Sequence, residues 1–408
     1  LILASGKNIT STITTVDNGK GILTLAGGTQ TVTGTVGGVG ASLEKVSSGA
    51  TGATSTFVNN VYANTVENTG TGATTFQDNV VATNVNVNAG TSTFQDNLTA
   101  TTTTITTGTG NFNTVSGTTT SNLQFTDNGT ANLNTGLTGN VTTTADNKGT
   151  LNLVGSNNQT VTGTVGGVGA SLAEVNAGVN GSTSTFANDV YATNLDVEGT
   201  GTVNLDGNFT GTAIRYNADG TVILADTKNI NSAITTSVDN TGTLSLEGSS
   251  TVTGQVGASG ASLKEINAGV AGSTSTFNSN VYASNLNMTG TGTVILNSDL
   301  TGNVVTTGNN QGILTTTGLN KTITGNIGSS TSLDLNTLNI GSDTDATNYS
   351  TTTINGNVFA NSTVLNNNGT TNSSELILAS GKNITSTITT ADANMGILTL
   401  AGGTQTVS

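Results

Sequence analysis

The hexapeptide STFVNN at residues 55–60 returns as TTFQDN at residues 74–79 and as STFQDN at residues 92–97. The phenylalanines of these segments and of one further copy follow one another at intervals of 18 or 19 residues: Phe57, Phe76, Phe94 and Phe112. A repeat of this length is longer than a strand and much shorter than a domain, and it is typical of one coil of a solenoid. The four rings are therefore predicted to share one interior line.

The composition excludes several classes of function. The 408 residues include no His, Cys, Pro or Trp, only 8% are charged, and the formal net charge is −14. Without His or Cys there is no Ser-His-Asp triad, thiol nucleophile or ordinary zinc site. Nucleic-acid binding needs several Lys or Arg on one surface, and Arg215 is the only arginine. Nucleic acid is therefore not expected as a partner. No segment approaches the ~18 consecutive apolar residues of a membrane-spanning helix.

Short strands with period-two alternation run through the chain. Leu23 and Leu25 fall on one face of a strand, and Val32 and Val36 alternate with threonines in the next one. One coil buries too few apolar side chains to fold alone, whereas stacked coils pair every strand with its neighbours above and below. The sequence predicts an all-β chain that forms a parallel β-helix solenoid, right-handed by the precedent of known folds. It would contain about 20 coils of roughly 18–22 residues.

A polar residue follows the inward anchor of many coils at a fixed offset. The clearest cases lie three residues after the anchor and are Asn60, Asn79, Asn97, Asp189, Asn280 and Asn357. Asn and Asp adopt the left-handed conformation more readily than most residues, so the pattern predicts a corner of fixed geometry. Stacked corners would place side-chain amides within hydrogen-bonding reach of one another. Phe186 and Phe277 occupy the anchor position of two such coils and are predicted to join the core stack.

A shared insert widens some of the intervals between anchors. It reads GVGASLEKV at residues 38–46, ASLAEV at residues 170–175 and ASLKEI at residues 261–266. Each copy has apolar residues three apart, behind a serine and near a glutamate. The pattern is compatible with a tight coil or with a single helical turn that protrudes from the column.

The beginning of the sequence returns near its end. Residues 1–32 recur at 376–407, an offset of 375, with only four differences. Near-identity beside looser internal copies indicates a recent tandem duplication. We therefore expect residues 1–408 to be one continuous solenoid within a longer tandem-repeat protein. The lack of Met and of a leader before Leu1 favours the same interpretation.

Carboxylates are the remaining candidates for chemistry. Asp78 and Asp96 lie in equivalent turns 18 residues apart, but Asn occupies this kind of turn elsewhere, which favours a structural role. Asp343 and Asp345 form the densest acidic pair and are candidate Ca²⁺ ligands, although no segment matches a known calcium loop. A β-helical polysaccharide enzyme would cluster carboxylates with Arg or Lys in one groove. The lysines here are scattered along the chain, so we assign no catalytic residue and no cofactor.

The amino-acid sequences of the coils resemble those of a known group of proteins. Segments such as GTVILAD at residues 220–226 and TVTGTV at residues 160–165 look like passenger domains of bacterial autotransporters. They are most similar to the rickettsial outer-membrane proteins A and B, the surface cell antigens. The similarity extends over all 408 residues without a diagnostic motif. It implies a β-helical passenger outside the outer membrane that adheres to host cells and coats the bacterium.

The leading hypothesis is therefore an extracellular structural and adhesive rod on a bacterial surface, not an enzyme. Its partners would be molecules on host or neighbouring cells. The alternative is a subunit of a self-assembling filament or S-layer, since exposed strand edges can pair between molecules. A polysaccharide-active enzyme ranks below both. Tyr62, Tyr191 and Tyr282 each follow their Phe by five residues, either as outward contact points or in a structural role.

Overall fold

The chain is all-β in a computed structural model. The structure describes residues 1–113, 115–329, 332–342, 349–366, 373–391 and 395–408. These residues contain no helix, and their parallel strands stack as a β-solenoid of about 19 turns. The predicted fold class, a parallel β-helix, is therefore confirmed.

The strands are between two and eight residues long. The first twenty are β1 (Ile2–Leu3), β2 (Ile22–Leu25), β3 (Thr29–Val32), β4 (Leu43–Ser48), β5 (Thr54–Phe57), β6 (Val61–Asn68), β7 (Ala73–Phe76), β8 (Val80–Val87), β9 (Thr91–Phe94), β10 (Leu98–Ile105), β11 (Thr109–Phe112), β12 (Thr119–Phe125), β13 (Thr130–Leu133), β14 (Leu137–Thr138), β15 (Val141–Thr143), β16 (Thr150–Leu153), β17 (Gln159–Val161), β18 (Leu172–Ala177), β19 (Thr183–Phe186) and β20 (Val190–Val197). The others are β21 (Thr202–Leu205), β22 (Phe209–Tyr216), β23 (Thr221–Leu224), β24 (Asn229–Thr236), β25 (Thr243–Leu246), β26 (Ser250–Val252), β27 (Leu263–Ala268), β28 (Thr274–Phe277), β29 (Val281–Met288), β30 (Thr293–Leu296), β31 (Leu300–Thr306), β32 (Gln311–Thr316), β33 (Lys321–Ile323), β34 (Leu335–Ile340), β35 (Thr351–Ile354), β36 (Val358–Leu365), β37 (Glu375–Leu378), β38 (Ile384–Thr390) and β39 (Ile397–Leu400).

Two compact units make up the described chain. The first comprises residues 1–203 and 210–212, and the second comprises residues 204–209 and 213–408. In the first unit one parallel ladder runs through β3, β5, β7, β9, β11, β13, β16, β18 and β20. Another runs through β1, β2, β4, β6, β8, β10 and β12.

The second unit repeats this arrangement. One parallel ladder passes through β23, β25, β27, β29, β31, β33, β35, β37 and β39. The other passes through β24, β26, β28, β30, β32, β34, β36 and β38. Since each strand within a ladder pairs with a strand of the coil before and of the coil after, its backbone donors and acceptors are satisfied without a hairpin.

Alternation along each strand decides which side chains face inward. In the four-residue strands β5, β7 and β9, the second and fourth residues are buried and the third is partly exposed. The second position holds a small hydroxyl residue, and Ser48 and Thr74 join their hydroxyls at 3.0 Å inside the coil. The fourth position holds the large apolar anchor. The interior therefore combines an apolar column with a narrower column of small hydroxyl side chains. Some of these are paired, as Ser48 is with Thr74, whereas the buried hydroxyl of Ser55 has no hydrogen-bond partner among the described residues.

Four phenylalanine rings form a continuous stack in the first unit. Phe57, Phe76, Phe94 and Phe112 are each at most 1% exposed. Successive ring centroids are 5.0, 5.1 and 5.4 Å apart, and the ring planes differ by 10°, 7° and 5°. The spacing follows from in-register parallel pairing, which places equivalent residues about 4.8 Å apart. Near-parallel rings at this separation also attract one another when they are offset.

The prediction that Phe186 and Phe277 join this stack is wrong. Phe186 is buried but lies in register with Val161, and Phe277 lies between Val252 and Leu296. The column that contains Phe112 continues through leucines of β13 and β16. Coils of unequal length change which strands lie above one another, so equal positions in the sequence do not always share a column.

The shared insert is a protruding reverse turn that leads into a strand, and the helical alternative is wrong. Gly38 and Ala41 exchange two backbone hydrogen bonds of 3.0 Å, and residues 167–170 and 258–261 close in the same way. Gly40 sits in the left-handed region with φ of 73°. Val39 and Val168 are at the tips of two of these turns and are each 89% exposed. We call residues 38–41, 167–170 and 258–261 the insert turns.

Replacing Phe76 by Ala tests the contribution of the ring stack. The substitution removes a fully buried ring between two others, so it should lower the free energy of opening of the neighbouring coils by about 3–5 kcal/mol. Hydrogen exchange of the β5, β7 and β9 amides measures this opening. Val16→Ala is the control because Val16 is 99% exposed. Equal protection in the two variants would contradict the role of the stack.

Candidate functional site: insert turns and clefts

Three of the predicted corner residues form a hydrogen-bonded ladder. The side-chain amide of Asn79 donates to Oδ1 of Asn60 at 2.9 Å, and that of Asn97 donates to Oδ1 of Asn79 at 2.7 Å. Asp78 accepts hydrogen bonds from the backbone and the side chain of Asn79, so its carboxylate serves the turn. The ladder is structural, because each amide uses its neighbours in the adjacent coils as partners.

The other three predicted corner residues also join neighbouring coils, and they do so through hydrogen bonds to their backbone carbonyls. The carbonyl oxygens of Asp189, Asn280 and Asn357 each accept a hydrogen bond of 2.9–3.0 Å from an inward Val or Ile of the preceding coil. Within the described chain, none of the six corner residues has a positive φ. The left-handed corner that their composition predicted is therefore wrong. The backbone carbonyls of these corner residues accept from the preceding coil, and Oδ1 of Asn280 and of Asn357 also accepts hydrogen bonds from the following coil.

A second asparagine ladder was missed in the sequence. Side-chain amides donate at 2.7 Å from Asn132 to Asn111, from Asn152 to Asn132 and from Asn176 to Asn152. These residues lie in register on β11, β13, β16 and β18. The signal was an Asn one residue before the inward anchor in segments such as TGNF, TANL and TLNL.

The candidate calcium ligands Asp343 and Asp345 lie outside the described residues. Among the residues that are described, no group of three or more His, Cys, Asp or Glu is placed to hold a metal ion. No helix of the described ranges is long and apolar enough to cross a membrane.

A turn in one coil is joined to the serine that follows the insert turn of the next coil. Oδ1 of Asp146 accepts a 3.0 Å hydrogen bond from the backbone amide of Ser171 and a short one from its hydroxyl. Asn147 donates its backbone amide to the carbonyl of Ser171 at 2.9 Å. Asn147 has φ of 59°, and this left-handed conformation turns its amide toward the next coil.

The same joint occurs in the second unit. Asp239 accepts from the backbone amide of Ser262 at 2.9 Å and from its hydroxyl at 2.5 Å. Asn240, with φ of 58°, donates to the carbonyl of Ser262 at 2.9 Å. The same set of hydrogen bonds therefore recurs in both units.

The first copy builds the joint without a carboxylate. Oδ1 of Asn18 accepts from the backbone amide of Ser42 at 2.9 Å and from its hydroxyl at 2.6 Å. Gly19, with φ of 72°, donates to the carbonyl of Ser42 at 2.8 Å. An amide oxygen therefore replaces the carboxylate oxygen of Asp146 with the same geometry.

A side chain of a third coil is hydrogen-bonded to each joint. Thr193 donates its hydroxyl to Oδ1 of Asn147 at 2.9 Å, and Ser284 donates to Oδ1 of Asn240 at 2.7 Å. In the first copy the serine hydroxyl itself lies 3.2 Å from Oδ1 of Asn64, as its donor. We call this arrangement the clasp, because it connects three successive coils at one corner.

A glycine and an aromatic residue face each other beside each insert turn. Gly166 has φ of 69°, and a Cβ built on it would lie 2.2 Å from the carbonyl oxygen of Tyr191 and 3.1 Å from its Cβ. The other pairs are Gly37 with Tyr62, Gly257 with Tyr282, and Gly328 with Phe359. Both the left-handed backbone and the close approach to the backbone of the aromatic residue require glycine at these positions.

Clefts open beside three of these aromatic residues, and the two in the first unit are bordered by insert turns. The first has a volume of about 510 Å³ and is lined by Val39, Tyr62 and Asn64 among others. The second, of about 240 Å³, lies between Val168 and Tyr191 in the same unit. A third of about 250 Å³ lies at Phe359 and Asp334 in the second unit. These repeated clefts are the candidate functional sites of the protein.

Charged groups near the clasps are held by local partners. The hydroxyl and the backbone amide of Ser171 lower the pKa of Asp146, and those of Ser262 lower the pKa of Asp239. Lys264 lies 2.9 Å from Asp219 and lowers the pKa of that carboxyl. The carboxylates are thus ionised partners in hydrogen bonds rather than poised acids.

The clasp carboxylates make a pH-dependent contribution to stability. Their pKa values are lower in the folded chain than the ordinary 3.8, so the contribution is present above pH ~4 and is lost as pH falls through the folded pKa values. The double variant Asp146→Asn/Asp239→Asn should therefore show a shallower loss of Tm between about pH 5 and pH 2. Circular dichroism melts measure this slope. An unchanged slope would contradict the assignment.

The Gly166–Tyr191 contact predicts a difference between two glycines of the same turn. Gly166→Ala should destabilise the surrounding coils by more than the ~1–2 kcal/mol cost of a left-handed Ala, because its Cβ meets the backbone of Tyr191. Gly169→Ala is the matched control, since Gly169 has φ of 70° but open space around its Cβ position. Exchange rates of the β18 and β20 amides report both effects. Equal losses in the two variants would show that the contact is unimportant.

No protein-family model matches this chain, and neither a curated protein nor a solved structure matches it significantly.

Proposed function

We propose that this chain is a structural and adhesive β-solenoid segment of an extracellular protein on a bacterial surface, and that it has no catalytic role. The observation that carries the proposal is the repeated presentation of exposed apolar tips on a hydrogen-bonded scaffold. Val39 and Val168 are each 89% exposed at the ends of insert turns. A single exposed apolar residue is ordinary on a protein surface, so the proposal rests on the recurrence of Val at equivalent places in two of the three insert turns.

The scaffold beneath the tips supports a role in presentation. Gly38 and Ala41 close the first insert turn with two hydrogen bonds, and the following Ser42 is held by the clasp through Asn18. A turn tied at its base loses little conformational freedom when it meets a partner, which favours affinity. Parallel pairing of β3 with β5 before the turn and of β4 with β6 after it extends this support in the first unit.

Electrostatics favours some partners over others. The formal net charge is −14, and Lys45, Lys148 and Lys264 each lie within 2.9 Å of a carboxylate oxygen of the same chain. Paired lysines add little positive potential for a polyanion. The partners we propose are uncharged or weakly charged molecules on the surface of host or neighbouring cells. The similarity of the coils to autotransporter passengers supports the extracellular location.

Adhesion is tested with protein-coated beads on cultured mammalian cells. The double variant Val39→Asp/Val168→Asp should reduce bead binding about tenfold, because it places charges at both apolar tips without burying them. Val115→Asp is the control, since Val115 is 75% exposed away from these turns. Wild-type beads that bind no better than uncoated beads would refute the adhesive role.

The same preparations separate the competing functions. Concentration-dependent fibres in electron microscopy that are lost in the Val39→Asp/Val168→Asp variant would assign the tips to a self-assembling filament instead. Depolymerisation of any member of a panel of neutral and acidic polysaccharides would establish an enzyme. We expect neither result, and we expect a steady monomer by sedimentation.

A further inference from the structure

The first cleft is lined by both apolar and polar side chains. Tyr62 is half-buried, and its strand neighbour Val81 is 40% exposed. Both line the cleft together with the tip residue Val39. Asn18, Asn64 and Thr83 supply the polar part of the lining. A cleft with this mixed lining suits a ligand that has an apolar face and hydroxyl-bearing edges.

Four polar side-chain groups in the cleft make no hydrogen bond to the described residues. The hydroxyls of Tyr62 and Thr83 and the side-chain NH₂ groups of Asn18 and Asn64 have no hydrogen-bond partner among the described residues. Oδ1 of Asn18 accepts from the backbone amide of Ser42, and it shares the single hydroxyl proton of Ser42 with Oδ1 of Asn64. This leaves four donor groups around the cleft, which can bind hydroxyl or acetamido oxygens.

We propose that this cleft binds a neutral sugar residue of a cell-surface glycan. The proposal deepens the adhesive function and rests on it. One face of a pyranose ring carries C–H groups that pack on the negative face of an aromatic ring such as that of Tyr62. The hydroxyls at the ring edge then meet Asn18, Asn64 and Thr83. A volume of about 510 Å³ is within the usual range of small-ligand sites, about 300–1,000 Å³.

The lining of the cleft selects against charged ligands. No Asp, Glu, Lys or Arg lines it, so neither a cation nor a carboxylate of a ligand finds a counter-charge there. The acidic balance of the chain further disfavours sialylated and sulphated sugars. A ligand that brings a formal charge into the cleft would lose hydration without compensation.

The other two clefts differ from the first in volume and in the residues that line them. The second cleft has about 240 Å³, less than half the volume, and includes the carboxylate of Asp146. The third replaces the tyrosine by Phe359, which has no hydroxyl, and includes Asp334. Only in the first cleft are sufficient volume, a tyrosine and a neutral lining combined among the three.

The clasp pre-organises the first cleft for binding. The hydroxyl of Ser42 lies 2.6 Å from Oδ1 of Asn18 and 3.2 Å from Oδ1 of Asn64, so both amide groups are held at one corner. Tyr62 is held from below by Gly37, where a Cβ would lie 2.3 Å from the carbonyl oxygen of Tyr62. Little ordering entropy is then lost when a sugar enters.

Saturation-transfer NMR on the full chain tests the proposal with lactose, cellotriose and triacetylchitotriose as probes. At least one of these should receive saturation and bind with a Kd of about 0.1–10 mM. 3′-Sialyllactose should bind at least about tenfold more weakly than lactose. Absence of transfer to all three neutral probes, or tighter binding of the sialylated sugar, would overturn the proposal.

Variants locate the binding in the first cleft. Tyr62→Ala should weaken binding about tenfold or more. Thr83→Val should weaken it about threefold to tenfold while it leaves the ring and the clasp in place, and Asn64→Ala, which also removes a clasp contact, should weaken it at least as much. Tyr282→Ala is the control, because Tyr282 packs on Gly257 as Tyr62 packs on Gly37. Equal binding by Tyr62→Ala, Asn64→Ala and wild type, or equal loss in Tyr282→Ala, would refute the site.

The bead assay distinguishes failure of this site from failure of adhesion. Beads carrying Asn64→Ala and Thr83→Val should bind cells less well than wild-type beads, and free neutral oligosaccharide should compete. Wild-type beads that adhere equally with and without these changes would leave adhesion intact but refute the sugar site, for example if a peptide is the ligand. Beads that never adhere would refute the adhesive function itself.

Discussion

The parallel backbone hydrogen bonds between successive coils are the constraint on which everything else in the structure depends. A single coil leaves its backbone groups unpaired and buries few apolar side chains, so it has no stability of its own. Pairing such as that of β5 with β7 and of β7 with β9 satisfies these groups on both sides. The absence of Pro is consistent with this requirement, because Pro cannot donate to the ladder.

In-register pairing converts similarity between coils into columns of like residues. Phe57, Phe76 and Phe94 stack because each lies directly above the last. Asn60 and Asn79 form a ladder for the same reason, and so do Asn132 and Asn152 on a neighbouring surface. An amide has both a donor and an acceptor, so it can bond to the coil below and to the coil above, which makes Asn well suited to such positions.

The chemistry of the surface arises where the chain leaves the ladder. The insert turns project because Gly40 and its counterparts reverse the chain within a few residues, and the clasps hold their bases. Single-residue differences then give each cleft its own character, as when Asn18 stands in the place of Asp146. A repeated scaffold thus carries sites that are related in position but different in charge and size.

The spacing of Phe57, Phe76, Phe94 and Phe112 and the two-residue alternation determined the coils and their parallel stacking, because both depend only on distance along the chain. Which coil lies above which was decided by the tertiary structure, since inserts of unequal length shift the register; Phe186 therefore lies above Val161. The cleft of Tyr62 depends on the same stacking, because Asn18, Val39 and Thr83 come together only when several coils are in place.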